Sequence, residues 1–152
     1  MKGKKKYILV AIIVATTVFI WLNSAVSMED SAQMSGSLTA WLQEVLHLSI
    51  SEHFLRKTAH FCEYGLLGLE YALRKPQSRQ HFFNAASAGL MTAVADESIQ
   101  IVSGRGDQVS DILLDFSGFL TGLFLMSLLL YLRDRLQKRH IANIVASEEN
   151  QL

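Results

Sequence analysis

The sequence predicts an all-α membrane protein with four transmembrane helices, at about residues 7–25, 54–73, 82–102 and 111–132, and a short external amphipathic helix at about 37–50. Three observations carry that prediction. The chain holds long apolar stretches, Ile8–Leu22, Phe82–Val102 and Ile112–Leu132, and a fourth, Phe54–Leu73, that is apolar apart from a few embedded charges. Its basic residues flank those stretches one-sidedly. The acidic and polar residues inside the stretches gather toward one end of nearly all of them.

If all four stretches span, Lys2, Lys4, Lys5, Lys6, Arg74, Lys75, Arg79, Arg133, Arg135, Lys138 and Arg139 fall on one side, and only Arg56, Lys57 and Arg105 on the other. Eleven against three is a strong positive-inside bias, which places both termini in the cytoplasm. The polar ends of the spans then face outward. The expectation is a multi-pass protein of the plasma membrane whose chemistry faces the outside.

Composition narrows the class further. The chain has 152 residues, of which 50% are hydrophobic and 18% charged, with a formal net charge of zero. That length is one domain's worth: residues 1–145 as the four-helix membrane domain and 146–152 as a flexible polar tail. Zero net charge, with the basic residues in short clusters beside spans, points to no nucleic-acid partner. One cysteine, Cys62, excludes an internal disulfide framework and a cysteine metal cage, and reads as packing.

Span 1 has no charge in its core and reads as a plain membrane anchor, with Trp21 at the interface. Its basic start and the small residues Ala25-Val26-Ser27 also outline a signal peptide, but an uncleaved anchor is the preferred reading. The sidedness of the rest is the same either way. In the external segment, Leu38, Trp41, Leu42, Val45, Leu46 and Leu48 follow a Ser cap at helical spacing. They predict an amphipathic helix on the outer surface, or a lid over the bundle.

Span 2 contains Lys57, His60, Glu63 and Glu70, and an ionised group at mid-membrane should face protein or water rather than lipid. Lys57, His60, Tyr64 and Tyr71 fall within an arc of roughly 60°, a polar stripe. Glu63 and Glu70 form a second stripe roughly 100° away, read as glue between helices or subunits. Arg74-Lys75-Pro76 closes the span. Span 3 has small residues from Ala85 to Gly89, suited to close helix approach, and reaches Asp96, Glu97 and Gln100 at its outer end. There Asp96 is read as a spectator charge. The glycines of Ser103–Gln108 predict a tight link that keeps spans 3 and 4 adjacent. Asp111, Asp115, Gly118 and Gly122 share one face of span 4, two carboxylates above a close-packing seam. The basic stretch Arg133–His140 follows as a cytoplasmic extension on anionic lipid.

Depth arithmetic joins the three helices. At about 1.5 Å of rise per residue, His60 lies roughly 4–5 Å deeper than Lys57, and Asp115 roughly 6 Å deeper than Asp111. Lys57, His60, Glu97, Gln100, Arg105, Asp111 and Asp115 can therefore converge in one outward-opening pocket, the cations offsetting the carboxylates. Each has a plainer role available. Lys57 can snorkel to the interface, His60 can be a satisfied interior histidine, and Asp111 can complement the dipole of its helix.

Arg56-Lys57-Thr58-Ala59-His60-Phe61-Cys62-Glu63-Tyr64-Gly65-Leu66-Leu67 resembles the first signature of the VanZ-like family of small bacterial membrane proteins. Asp96-Glu97-Ser98-Ile99-Gln100, Arg105, Asp111, Asp115, Gly118 and Gly122 resemble its second. The match covers spans 2 to 4. Many members have Asp at the position of Arg56 and Asn at that of Asp115, which weakens a role for residue 56 and makes hydrogen bonding the shared need at 115. The resemblance implies a four-helix integral membrane protein and a contribution to teicoplanin-type glycopeptide resistance, with no settled biochemical activity.

The leading expectation is a protein that binds or modifies a lipid-linked or lipoglycopeptide head group at the outer face. His60, Glu97 and Asp111 are the candidates for acid–base work, and Lys57, Tyr64, Gln100, Arg105 and Asp115 for holding the ligand. Gly118 and Gly122 are assigned to helix packing. The carboxylates suit a divalent metal, which the sequence permits but does not require. Partners are membrane lipid, an envelope amphiphile or lipid-linked precursor, and a second copy of the chain. One alternative is an oligomeric transporter or permease with Glu70, Glu63, His60 and Asp115 as a relay. Another is a structural subunit of a membrane complex.

Overall fold

The computed structural model describes residues 3–26, 51–74, 79–103 and 109–149, with scattered positions between 33 and 47; of 145–149 only the backbone is described. Four helices account for it: α1 (Gly3–Ala25), α2 (Glu52–Arg74), α3 (Arg79–Val102) and α4 (Val109–Glu149). The helix ends have local causes. The Ser51 hydroxyl accepts the backbone N–H of Phe54 at 3.2 Å, an N-cap that starts α2. Arg74, in the last turn of α2, meets the negative end of the helix dipole. The Ser103 hydroxyl, just past α3, donates to the carbonyls of Gln100 and Ser24.

By length and composition, α1 and the Val109–Ile144 part of α4 are apolar enough to cross a membrane. α4 has 41 residues. At about 1.5 Å per residue it is roughly 60 Å long, about twice a bilayer's hydrocarbon core, so it must project well beyond any span it makes. It continues through Glu149, into the segment expected to be a flexible tail.

The most extensive interface lies between α2 and α4, which run parallel. Glycines set its spacing. A Cβ on Gly122 would run into the Gly65 carbonyl, one on Gly118 into the Phe61 carbonyl, and one on Gly68 into the Phe119 carbonyl. The two backbones are therefore in contact, as the Gly118/Gly122 seam predicts. Phe119 is fully buried, its ring against Gly89 of α3 and edge-on to Tyr71 at 5.4 Å between centroids. Gly89 on α3 thus makes the room that Phe119 fills.

α1 packs on α2 and α3 and, among the described residues, does not touch α4. It is more than an anchor. Ile13, Ile20 and Ser24 are buried, and Trp21, expected at an interface, packs half-buried against the core. The Thr16 hydroxyl donates to Glu70 at 2.8 Å, and Asn23 Nδ2 donates to Glu63 at 3.0 Å. Glu63 and Glu70 do act as helix glue, and α1 is the helix they hold.

The expected external helix falls mostly outside the described residues. Of its positions, Ser37, Ala40, Trp41, Glu44 and Val45 are helical, with Trp41 and Val45 exposed; His47, with φ 54°, is not helical.

The glycine contacts yield a stability prediction. Gly122→Val should destabilise the detergent-solubilised bundle by about 1–3 kcal/mol or prevent folding, because overpacking has no slack against backbone. Gly3→Val, with nothing within 4 Å of its Cβ, should leave the melting temperature unchanged. Equal melting of the two variants would contradict the packing.

Candidate functional site

The interior of the bundle is unusually polar toward one end. Ser24, Asp96, Glu97, Gln100 and Asp115 are buried there, while Glu70 and Thr92 are buried further along the bundle. Ser24 comes from the end of α1, Asp96, Glu97 and Gln100 from the last turns of α3, and Asp115 from the second turn of α4. Because α1 and α3 end where α2 and α4 begin, their polar termini meet at the same level. The α2–α4 glycine contact then turns His60 and Asp115 to the same side.

Three helices meet at one point. His60 of α2, Asp96 of α3 and Asp115 of α4 each offer a donor atom, and these atoms lie within 4.8 Å of one another. Asp96 is 0% exposed and Asp115 2% exposed, whereas His60 is half-buried. Gln100 Nε2 donates to Asp96 Oδ2 at 2.9 Å and to the Ser24 hydroxyl at 3.3 Å, orienting the Asp96 carboxylate. Glu97 stands within electrostatic reach of Asp115 and Tyr64. Tyr64, one turn beyond His60 on the same face of α2, is fully buried; its hydroxyl has no hydrogen-bond partner among the described residues.

Nearer the helix starts, Lys57 Nζ and Asp111 Oδ1 form an ion pair at 2.7 Å, with side chains 29% and 26% exposed. The pair bridges the second turn of α2 and the first turn of α4. It commits Asp111, expected as an acid–base group, and Lys57, expected as an anion binder, to each other. Arg105, the other expected anion binder, lies outside the described residues. Cys62, read from the sequence as a packing residue, is exposed instead.

Asp96 corrects the sequence reading: it is a central member of the cluster, not a spectator. A signal for it exists. Ala85, Gly89, Ala93, Asp96 and Gln100 follow one another at helical spacing, so the small-residue face of α3, continued outward, arrives at Asp96. The Asn23-Ser24 end of α1 was likewise missed. Ile13, Thr16, Ile20 and Asn23 fall on one face at the same spacing, but hydroxyl and amide side chains in an apolar helix give a weak signal.

A family model described as VanZ/LLP1 matches residues 7–130. The chain belongs to this family. The match begins within α1 and ends within α4, so it takes in every residue of the cluster. No curated protein and no solved structure matches the chain. With its two strongly apolar helices, this VanZ-like chain is a membrane protein.

The ion pair makes a further prediction. Lys57→Met leaves the Asp111 carboxylate partly buried without its cation, while Lys57→Met with Asp111→Leu removes both charges. The single variant should be the less stable, with a coupling of about 0.5–3 kcal/mol in a double-mutant cycle. Additive effects would mean that the pair contributes nothing.

Proposed function

We propose that this VanZ-like protein crosses the bacterial cytoplasmic membrane four times, with both termini in the cytoplasm. In this reading its buried cluster serves the outer face, where it binds or modifies the head group of a cell-envelope amphiphile or lipoglycopeptide and so contributes to tolerance of teicoplanin-type glycopeptides.

Support for four spans comes from the outside of the bundle. Large apolar side chains are exposed on every helix, among them Ile8 and Phe19 on α1, Phe54 and Leu66 on α2, Met91 and Val102 on α3, and Phe124 and Leu129 on α4. A water-soluble monomer rarely presents so much apolar surface. The hydroxyls of Thr92, Ser98 and Thr121 each donate to the carbonyl one turn back, which satisfies them where no water is available. The one-sided basic residues orient the helices. The hydrogen bonds of α1 to Glu63, Glu70 and Gln100, which cleavage would leave open, support its retention in this reading.

The observation that carries the ligand reading is the His60–Asp96–Asp115 cluster beneath the Lys57–Asp111 pair, all near the outer helix ends in the proposed topology. An imidazole beside oriented carboxylates can donate to a phosphate or sugar hydroxyl, or accept a proton as a general base. The pair above it offers an ammonium and a carboxylate to a zwitterionic or glycan head group. Binding and turnover use the same residues.

A transporter is the second reading, favoured by the polar seam that Glu70, Glu63 and their partners make between α1 and α2. Both carboxylates accept from neutral donors of α1, an arrangement equally suited to packing. Solute flux in proteoliposomes would support this alternative.

In a strain whose teicoplanin tolerance depends on the chain, His60→Ala and Asp115→Ala should abolish complementation while reaching the membrane at wild-type levels. Full complementation by His60→Ala would remove the cluster from the function.

A further inference from the structure

Two buried carboxylates, Asp96 and Asp115, meet the half-buried imidazole of His60 where α2, α3 and α4 converge. Three different helices point a nitrogen and two oxygens at a common centre, with donor atoms within 4.8 Å of one another.

We propose that His60, Asp96 and Asp115 bind a divalent first-row transition-metal ion, zinc or manganese, that ties α2, α3 and α4 together. One imidazole and two carboxylates are a borderline-to-hard donor set, which suits these ions; thiolate is absent from it. Donors about 2.0–2.2 Å from a tetrahedral zinc stand roughly 3.4 Å apart, so the three side chains close by about an ångström on binding. Asp96 is prepared for the role, because Gln100 holds its Oδ2 and fixes the plane of the carboxylate.

A second, independent observation points to a ligand at this place. The Tyr64 hydroxyl is completely buried and lacks a hydrogen-bond partner among the described residues. It lies within electrostatic reach of Asp96 and Asp115. A metal-bound water, or the ion itself, gives that hydroxyl the partner that burial demands.

The site is the one used in the proposed function, but its test needs no envelope ligand. Full-length protein carrying a histidine-free affinity tag is purified in detergent, stripped with chelator, and titrated with Zn2+, Mn2+ and Mg2+ as chloride salts. Metal content and melting temperature are then measured. Wild type should take up about one Zn2+ or Mn2+ per chain and melt at higher temperature with it, with little response to Mg2+. Cys62→Ser, whose side chain is exposed elsewhere, should behave as wild type. Asp115→Asn should lose the metal and the thermal shift; if it fails to fold, His60→Gln reads the same ligand set. No uptake by wild type, or uptake undiminished in a folded Asp115→Asn or His60→Gln, overturns the proposal. A metal-free wild type would leave the head-group reading standing.

Discussion

Everything in this bundle follows from the absence of water around it in the proposed setting. A lipid-facing side chain has no polar partner to find, so each carboxylate, amide and hydroxyl must be satisfied within its own helix or by a neighbouring one. The helices answer that requirement in two ways. Serines and threonines fold back onto carbonyls one turn away, as Thr92 and Thr121 do. Charged and amide groups turn inward and meet across helices: Glu70 with Thr16, Glu63 with Asn23, Gln100 with Ser24, Lys57 with Asp111.

Polar pairing alone would not fix where the helices stand, because an apolar solvent gives little drive to pack apolar faces together. Glycine settles the spacing. Gly65 and Gly68 of α2 against Gly118 and Gly122 of α4 allow backbone contact, and Phe119 locks α3 alongside through the gap at Gly89. With those contacts made, His60 and Asp115 share one side, and α3 delivers Asp96 to them. The packing seam and the cluster are therefore parts of one device. The seam, deeper in the bundle, holds the register on which the cluster depends.

Much of this was legible in the sequence. The four helices fall where the apolar stretches predict them, with α2 running 52–74 against an expected 54–73 and α3 running 79–102 against 82–102. Hydrophobic runs carry strong signals. Gly118 and Gly122 were legible as packing residues because two glycines one turn apart in an apolar helix have few other uses. His60 and Asp115 were legible because a charge within a span is costly. Asp96 was not, since next to Glu97 at a helix end either carboxylate could have been the exposed one. Its burial depends on the rotation of α3, which Phe119 sets from another helix. The contribution of α1 was hidden for a related reason: Thr16, Asn23 and Ser24 acquire meaning only once Glu70, Glu63 and Gln100 stand opposite them.

The central claim is that the His60–Asp96–Asp115 cluster lies toward the outer side of a membrane-spanning bundle. In a Cys62→Ser background, single cysteines at Ser110, at the start of α4, and at Gln80 and His140, near the start of α3 and far along α4, occupy exposed positions. A membrane-impermeant maleimide applied to intact cells (spheroplasts, where an outer membrane intervenes) is predicted to label Ser110→Cys. It should label Gln80→Cys and His140→Cys only after the membrane is breached. Labelling of Gln80→Cys in intact cells with Ser110→Cys protected, or equal labelling of both, would contradict the account.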